Sequence, residues 1–304
     1  MLDPDALYAV APDAPALDRP VLVHVLDGFI DAGGAGRLAR EHLLATLEHR
    51  VVATFDVDQL HDYRARRPVM TFVEDHWESV DAPRLELSVV EDASGTPFLL
   101  LGGPEPDVQW ERFTRAVARV VERFGVRTVV GLHGIPMAVP HSRPTALTAH
   151  ATRQELVSGY APWLETVQVP GSIGALLELR LGQAGHDAMG FAVHVPHYVA
   201  QSDYPAAAEA LLDATARATG LALPTDALRE RAAGTRRAID EQVGESEEVA
   251  AVVRALEEQY DAFVRATGRD LLAGEAAPLP SGDELGAELE RFLADQERRD
   301  SRDT

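Results

Sequence analysis

Residues 21–57, VLVHVLDGFIDAGGAGRLAREHLLATLEHRVVATFDV, decide the fold. Val21 to Leu26 is a short apolar run that stops at Asp27-Gly28, the pattern of a strand buried on both faces. A glycine-rich turn, Asp31-Ala-Gly-Gly-Ala-Gly36, then leads into Arg37 to Leu47, where Leu38, His42, Leu43 and Leu47 recur at helical spacing. Val51 to Val57 is continuous and β-branched, so a second strand follows the helix. Strand, helix and strand in succession open a layered α/β fold.

The same alternation continues outward. Leu85 to Val90 and Phe98 to Leu101 flank the turn signal Asp92-Ala-Ser-Gly-Thr96 and read as a hairpin. Trp110 to Phe124 places Phe113, Val117, Val120, Val121 and Phe124 on one helix face, and Gly125 ends it. Val126 to Leu132 reads as a strand running into a loop that starts at His133. Val167 to Pro170 reads as a short strand, Ile173 to Leu181 as a helix, Ala188 to Val195 as a strand, and Pro205 to Thr219 as a helix stopped by Gly220. The expected organisation is an α/β core over 1–223, a helical hairpin over 224–268 broken near Gly244-Glu-Ser246, and an acidic, partly disordered tail over 269–304.

Composition narrows the chemistry. The 28 basic residues are all Arg, and the net charge is −21. Without Lys there is no Schiff-base chemistry and no P-loop lysine. Without Cys there is no disulfide, thiolate nucleophile or cysteine-held metal, a composition that suits the reducing cytoplasm. An acidic surface repels nucleic acid and anionic lipid. No apolar run approaches the roughly 18 residues of a membrane span, so a soluble protein without membrane or nucleic-acid partners is expected.

Four segments fall beyond the C-terminal ends of strands, where layered α/β proteins keep their sites. In the first, Asp27 and Asp31 accompany glycines before a helix, which would either bind an anion on free N–H groups or let helix and strand pack closely. The spacing is neither G-x-G-x-x-G nor a P-loop. In the second, His133, His141, Arg143 and His150 lie within eighteen residues of a proline-stiffened segment. It would either bind a carboxylate or phosphate, or pin itself through hydrogen bonds. In the third, Ser172 fits a helix N-cap and not a nucleophile elbow. The fourth, His194-Val-Pro-His197, has no third ligand at matching spacing. No cofactor and no metal is expected.

Several of these stretches together resemble the proteasome assembly chaperone 2 family in its actinobacterial branch. They are Asp56-Val-Asp58 with Asp62-Tyr-Arg-Ala-Arg-Arg-Pro68, Gly131-Leu-His-Gly-Ile-Pro-Met-Ala-Val-Pro-His-Ser-Arg-Pro144, Val169-Pro-Gly-Ser172, and His194-Val-Pro-His-Tyr198 with Asp203-Tyr-Pro205. The resemblance implies a three-layer α/β/α fold similar to nucleoside phosphorylases and hydrolases, and a homo-oligomer, with a trimer as one arrangement. Eukaryotic relatives help assemble the proteasome α-ring. Some proteasome-docking proteins end in a hydrophobic residue, Tyr and a final residue, whereas this chain ends Arg302-Asp303-Thr304, so docking through that mode is not expected.

Two functional readings follow. The first is a non-enzymatic assembly or interaction protein, because no nucleophile–base pair, phosphate loop or metal set is arranged. The alternative is a site for an anionic nucleoside- or sugar-phosphate-like ligand, with His133, His141, Arg143 and His197 as polar groups and Asp27 or Asp31 as base.

Overall fold

The computed structural model describes residues 2–28, 30–160 and 166–269. Ten strands and six α-helices are described: β1 (Tyr8–Val10), β2 (Val21–Asp27), α1 (Ala35–Thr46), β3 (His49–Phe55), β4 (Met70–Val73), β5 (His76–Val80), β6 (Glu86–Glu91), β7 (Pro97–Pro104), α2 (Trp110–Phe124), β8 (Thr128–Met137), β9 (Leu147–Ala151), α3 (Ile173–Gln183), β10 (Ala188–Pro196), α4 (Pro205–Thr219), α5 (Asp226–Gly244) and α6 (Glu247–Arg269). Eight strands form one sheet in the order β1-β3-β6-β7-β2-β8-β10-β9. Its centre, β7-β2-β8-β10, is parallel, and antiparallel strands extend it on both sides.

Alternation along β2 builds both faces of the core. Val21, Val23 and Val25 pack with Leu38, Ala39 and Leu43 of α1 and with Ala207, Leu211 and Leu212 of α4. Leu22 points the other way, into the layer of Phe113, Val117, Val120 and Val121 of α2 and Leu177 of α3. Helices on both faces give the three-layer α/β/α fold, and they explain why β2 reads as a solid apolar run. Complete burial of Phe113 and Phe98, each 0% exposed, contributes about 2–3 kcal/mol apiece.

β8 runs five residues beyond its expected end, because β10 pairs with it up to Pro196 opposite Met137. His133 is therefore a sheet residue and not the start of a loop. The strand expected at Val167 to Pro170 is absent: residues 167–170 pair with no strand among the described residues, and Val167 and Val169 are 56% and 71% exposed. The outer position is filled instead by β9, antiparallel to β10. β4 and β5 form a separate two-stranded ribbon.

The two helices expected after residue 224 are present, with Leu228 and Ile239 of α5 in the core. The chain divides into two compact units, 1–257 and 258–304. Of the tail expected over 269–304, residues 270–304 lie outside the described residues. No helix among the described residues is long and apolar enough to cross a membrane.

Candidate functional site

A cleft of about 690 Å³ opens at the C-terminal ends of the parallel strands, lined by Asp27, Asp31, Arg37, Arg66, Glu105 and Asp107 among others. Its glycine-rich edge is the turn before α1, where Gly33 (φ +67°) and Gly34 (φ +56°) adopt a left-handed backbone that a side chain disfavours. The five successive N–H groups from Gly33 to Arg37 each have a partner inside the chain. Gly33 N–H donates to the Ala200 carbonyl (2.7 Å) and Gly34 N–H to the Asp31 carbonyl (2.9 Å). Ala35 N–H donates to the Ala32 carbonyl. Gly36 and Arg37 N–H donate to the two carboxylate oxygens of Asp31, at 2.8 and 3.0 Å. A third amide, Gly134 on β8, also donates to Asp31, at 3.0 Å. Asp31 is thus the anion at the α1 N-terminus.

The second helix start nearby is occupied in the same way. Ile173 N–H, at the head of α3, donates to the Glu105 carboxylate at 2.7 Å. Ser172 caps the same end by accepting from Ala175 N–H at 3.2 Å, as its sequence position predicts. The cleft's two guanidiniums are held as well. Arg37 donates to Glu41 (3.1 Å) and Asp203 (2.5 Å), and Arg66 donates to Asp107 (3.2 Å) and to the Glu105 carbonyl (2.5 Å).

Asp27 ends β2 and accepts from Arg40 at 2.6 Å through Oδ2. Its Oδ1 is buried without a hydrogen-bond partner among the described residues. Burial pushes this carboxyl above the ordinary range, and the Arg40 guanidinium opposes that shift.

The His141–Arg143 segment is pinned to the helices that follow the core. His141, 4% exposed, lies edge-on to Tyr198 and bridges it to Asp240 of α5. A carboxylate only accepts, so Nε2–H donates to Asp240 (3.0 Å), and Nδ1 accepts from the Tyr198 hydroxyl (2.7 Å). That hydroxyl accepts in turn from the His141 backbone N–H at 2.8 Å. Burial lifts the Tyr198 phenol to about 12, so it stays a neutral donor. Ser142 donates to Glu257 of α6, and Arg143 donates to the same carboxylate at 3.3 Å.

His133 belongs to a third environment, on the α3 face of the sheet. One row of paired residues crosses four strands as His24, Gly131, Gly190 and His150. The two glycines make room for the imidazoles: an added Cβ would sit 2.8 Å from the His24 ring and 2.3 Å from the His150 ring. His133, two residues along β8, lies 6.2 Å from the His150 ring centre. His150 Nδ1–H donates to Glu178 of α3 at 2.8 Å. Burial, reinforced by the neighbouring imidazoles, lowers His24 and His133 to about 4, and burial alone lowers His194 to about 4. All three are neutral at physiological pH. Among the described residues no group of three or more His, Asp or Glu is arranged to hold a metal ion.

The six candidate residues therefore separate. Asp27 and Asp31 line the cleft, His133 lies on the α3 face, His141 and Arg143 face α5 and α6, and His197 is exposed beside Tyr198. Sequence reasoning missed Glu105, Arg66 and Arg40. Their only sequence signals were Gly102-Gly-Pro-Glu105 after an apolar strand and the arginines of residues 64–67.

The geometry defines a three-layer α/β/α protein in which carboxylates of the chain itself engage amides at the two helix starts beside the strand-end cleft. The chain matches the PAC2 family over residues 25–243, and it belongs to that family. Among solved structures it is similar to Rv2714 of Mycobacterium tuberculosis, a protein of unknown function, at 52% identity and TM-score 0.84, covering 88% of this chain and 92% of that one. A Corynebacterium glutamicum protein of unknown function is 41% identical with TM-score 0.82, covering 86% and 98%. The Mycobacterium tuberculosis proteasome-assembly chaperone homologue Rv2125 is 27% identical with TM-score 0.71, covering 77% and 99%. No curated protein matches the chain.

Proposed function

We propose that this chain is a non-enzymatic, assembly-type protein of the PAC2 family, active in the cytoplasm through protein contacts that begin with a second copy of itself. The observation that carries the reading is the β4–β5 ribbon. Val69, Met70, Phe72, Trp77 and Val80 are 73%, 48%, 53%, 62% and 50% exposed. Phe72 and Trp77 meet edge to face at 5.0 Å, leaving most of both rings to solvent. A lone two-stranded ribbon is marginal in water, and a contiguous apolar patch of this kind marks an interface. Its cover has to be present whenever the chain is folded, and another copy of the chain meets that requirement. The relation to a proteasome-assembly chaperone homologue supports an assembly role.

The reading that assigns an anionic ligand to the six candidates has less support. Asp31 and Glu105 occupy the helix starts, and His141 and Arg143 are engaged with Tyr198, Asp240 and Glu257. Mass photometry of the full chain, beside the Phe72→Asp/Trp77→Asp variant, tests the proposal. A discrete oligomer, a trimer being one arrangement, should collapse to monomer in the variant with its circular dichroism unchanged. A wild-type monomer, or an oligomer indifferent to the substitutions, would remove the basis for it.

A further inference from the structure

A second cavity, of about 730 Å³, lies on the α1 side of the sheet, and Asp27 and Arg66 line both it and the strand-end cleft. Its floor comes from the paired residues Glu86–Gly102 and Ser88–Leu100 of β6 and β7. Arg40 and Leu44 of α1 form one side, and the two roots of the β4–β5 ribbon, Arg67-Pro68 and Val80 to Arg84, form another. Four arginines line it (Arg40, Arg66, Arg67 and Arg84), against the carboxylates of Asp27, Asp81 and Glu86. The lining therefore carries a formal +1 in a chain whose net charge is −21.

The neighbouring glycines make this arrangement fit. A Cβ on Gly102 would fall 2.4 Å from Arg40 Cδ, so the missing side chain lets Arg40 lie across β7. A Cβ on Gly103 (φ +141°) would fall 2.1 Å from the Arg84 carbonyl oxygen, so the backbone that carries Arg84 comes against the sheet only over glycine. Two of the guanidiniums are engaged, Arg40 with Asp27 and Arg66 with Asp107. Arg67 and Arg84 have no ion pair among the described residues. Ser88 lies in the floor, and in the lining Asp27 Oδ1 and His61 Nδ1 are buried without a hydrogen-bond partner among the described residues. Buried polar groups are otherwise satisfied almost throughout folded proteins, so two unmatched buried atoms in a lining that also carries two exposed guanidiniums point to a polar occupant.

We infer that this cavity binds the phosphate group of a small phosphorylated molecule, with Arg67 and Arg84 closing on its oxygens from the ribbon roots and Ser88 donating from the floor. Guanidinium forks match the spacing of phosphate oxygens, and several together suit a dianion better than a single carboxylate. The volume lies within the range of small-molecule pockets. Asp81 and Glu86 are left to accept from hydroxyls on the rest of the ligand. The site lies apart from the His141–Arg143 segment, and its test shares no variant with the self-association test.

The experiment is calorimetric titration of pyrophosphate and of ribose 5-phosphate into the full chain at low salt, repeated with Arg67→Gln/Arg84→Gln. Saturable binding of at least one probe is expected, weakened about tenfold or more in the double variant. Both arginines are exposed and carry no ion pair among the described residues, so the denaturation midpoint without probe should be unchanged. Should the double variant fail to fold, Arg67→Gln alone carries the test. Arg143→Gln should leave binding intact. No saturable binding of either probe, binding retained in the arginine variants, or binding lost equally in Arg143→Gln would each overturn the inference.

Discussion

Acid should destabilise this protein well before its carboxylates are protonated. His24, His133 and His194 are held neutral on the α3 face and are lowered to about 4, whereas in the unfolded chain each takes up its proton near the ordinary 6.5. Between those values the unfolded state binds more protons than the folded one, so stability falls as pH falls. The stabilisation is complete above about 6.5, declines through the window, and is gone below about 4. A displacement of about 2.5 units corresponds to roughly 3 kcal/mol for one imidazole. His24 and His133 feel each other, so the three contributions add to less than their sum, about 4–8 kcal/mol in total. That is comparable with the whole stability of a typical domain. Urea denaturation followed by circular dichroism at pH 7.5, 6.0 and 5.0, at one protomer concentration, would show a progressive loss of unfolding free energy. His24→Leu removes one titrating group and should flatten the slope, whatever it does to stability at pH 7.5. Equal stability at pH 7.5 and 5.0, or an unaltered slope in His24→Leu, would refute the reasoning.

Other expectations follow from single contacts. Asp31→Ala strips the α1 start of its carboxylate and leaves three amides without their acceptor, so a loss of about 2–4 kcal/mol in urea denaturation is expected. His141→Ala disconnects Tyr198 from Asp240. Hydrogen exchange should then rise in α5 more than in β2, with a global loss of about 1–3 kcal/mol. Phe113→Ala empties a fully buried position between α2 and the sheet and should lower stability by about 3–5 kcal/mol, read from the same titrations.

The legible parts of the fold were those where burial is periodic. The α2 helix was readable from Trp110 to Phe124 because its apolar residues keep to one face, and β2 because it is covered on both. Val167 to Pro170 misled because an apolar, β-branched run is only a strand if another strand lies beside it. β9 was missed for the converse reason: Leu147-Thr-Ala-His-Ala151 has weak strand character and is held by its pairing with β10. At the site, residue types were legible but partners were not. Asp31 next to glycines suits an anion-binding turn or a self-capped one, and only the position of Gly134 on β8 and of Arg37 decides for the second. His133 reads as the start of a loop because nothing local shows that β10 draws β8 out to Met137. Glu105 reaches α3 across 68 residues of sequence, and no local pattern announces such a contact.

The carboxylates of Asp31 and Glu105 act as tethered competitors. A group attached to the chain a few ångströms from its receptor has an effective concentration far above that of any dissolved anion. Free phosphate meets amides that these two carboxylates already engage. The same backbone, with small neutral residues at those two positions, would present vacant amide cradles at the mouth of a ready-made cleft. The distance between a scaffold of this fold and a receptor for anions is therefore as short as two side chains.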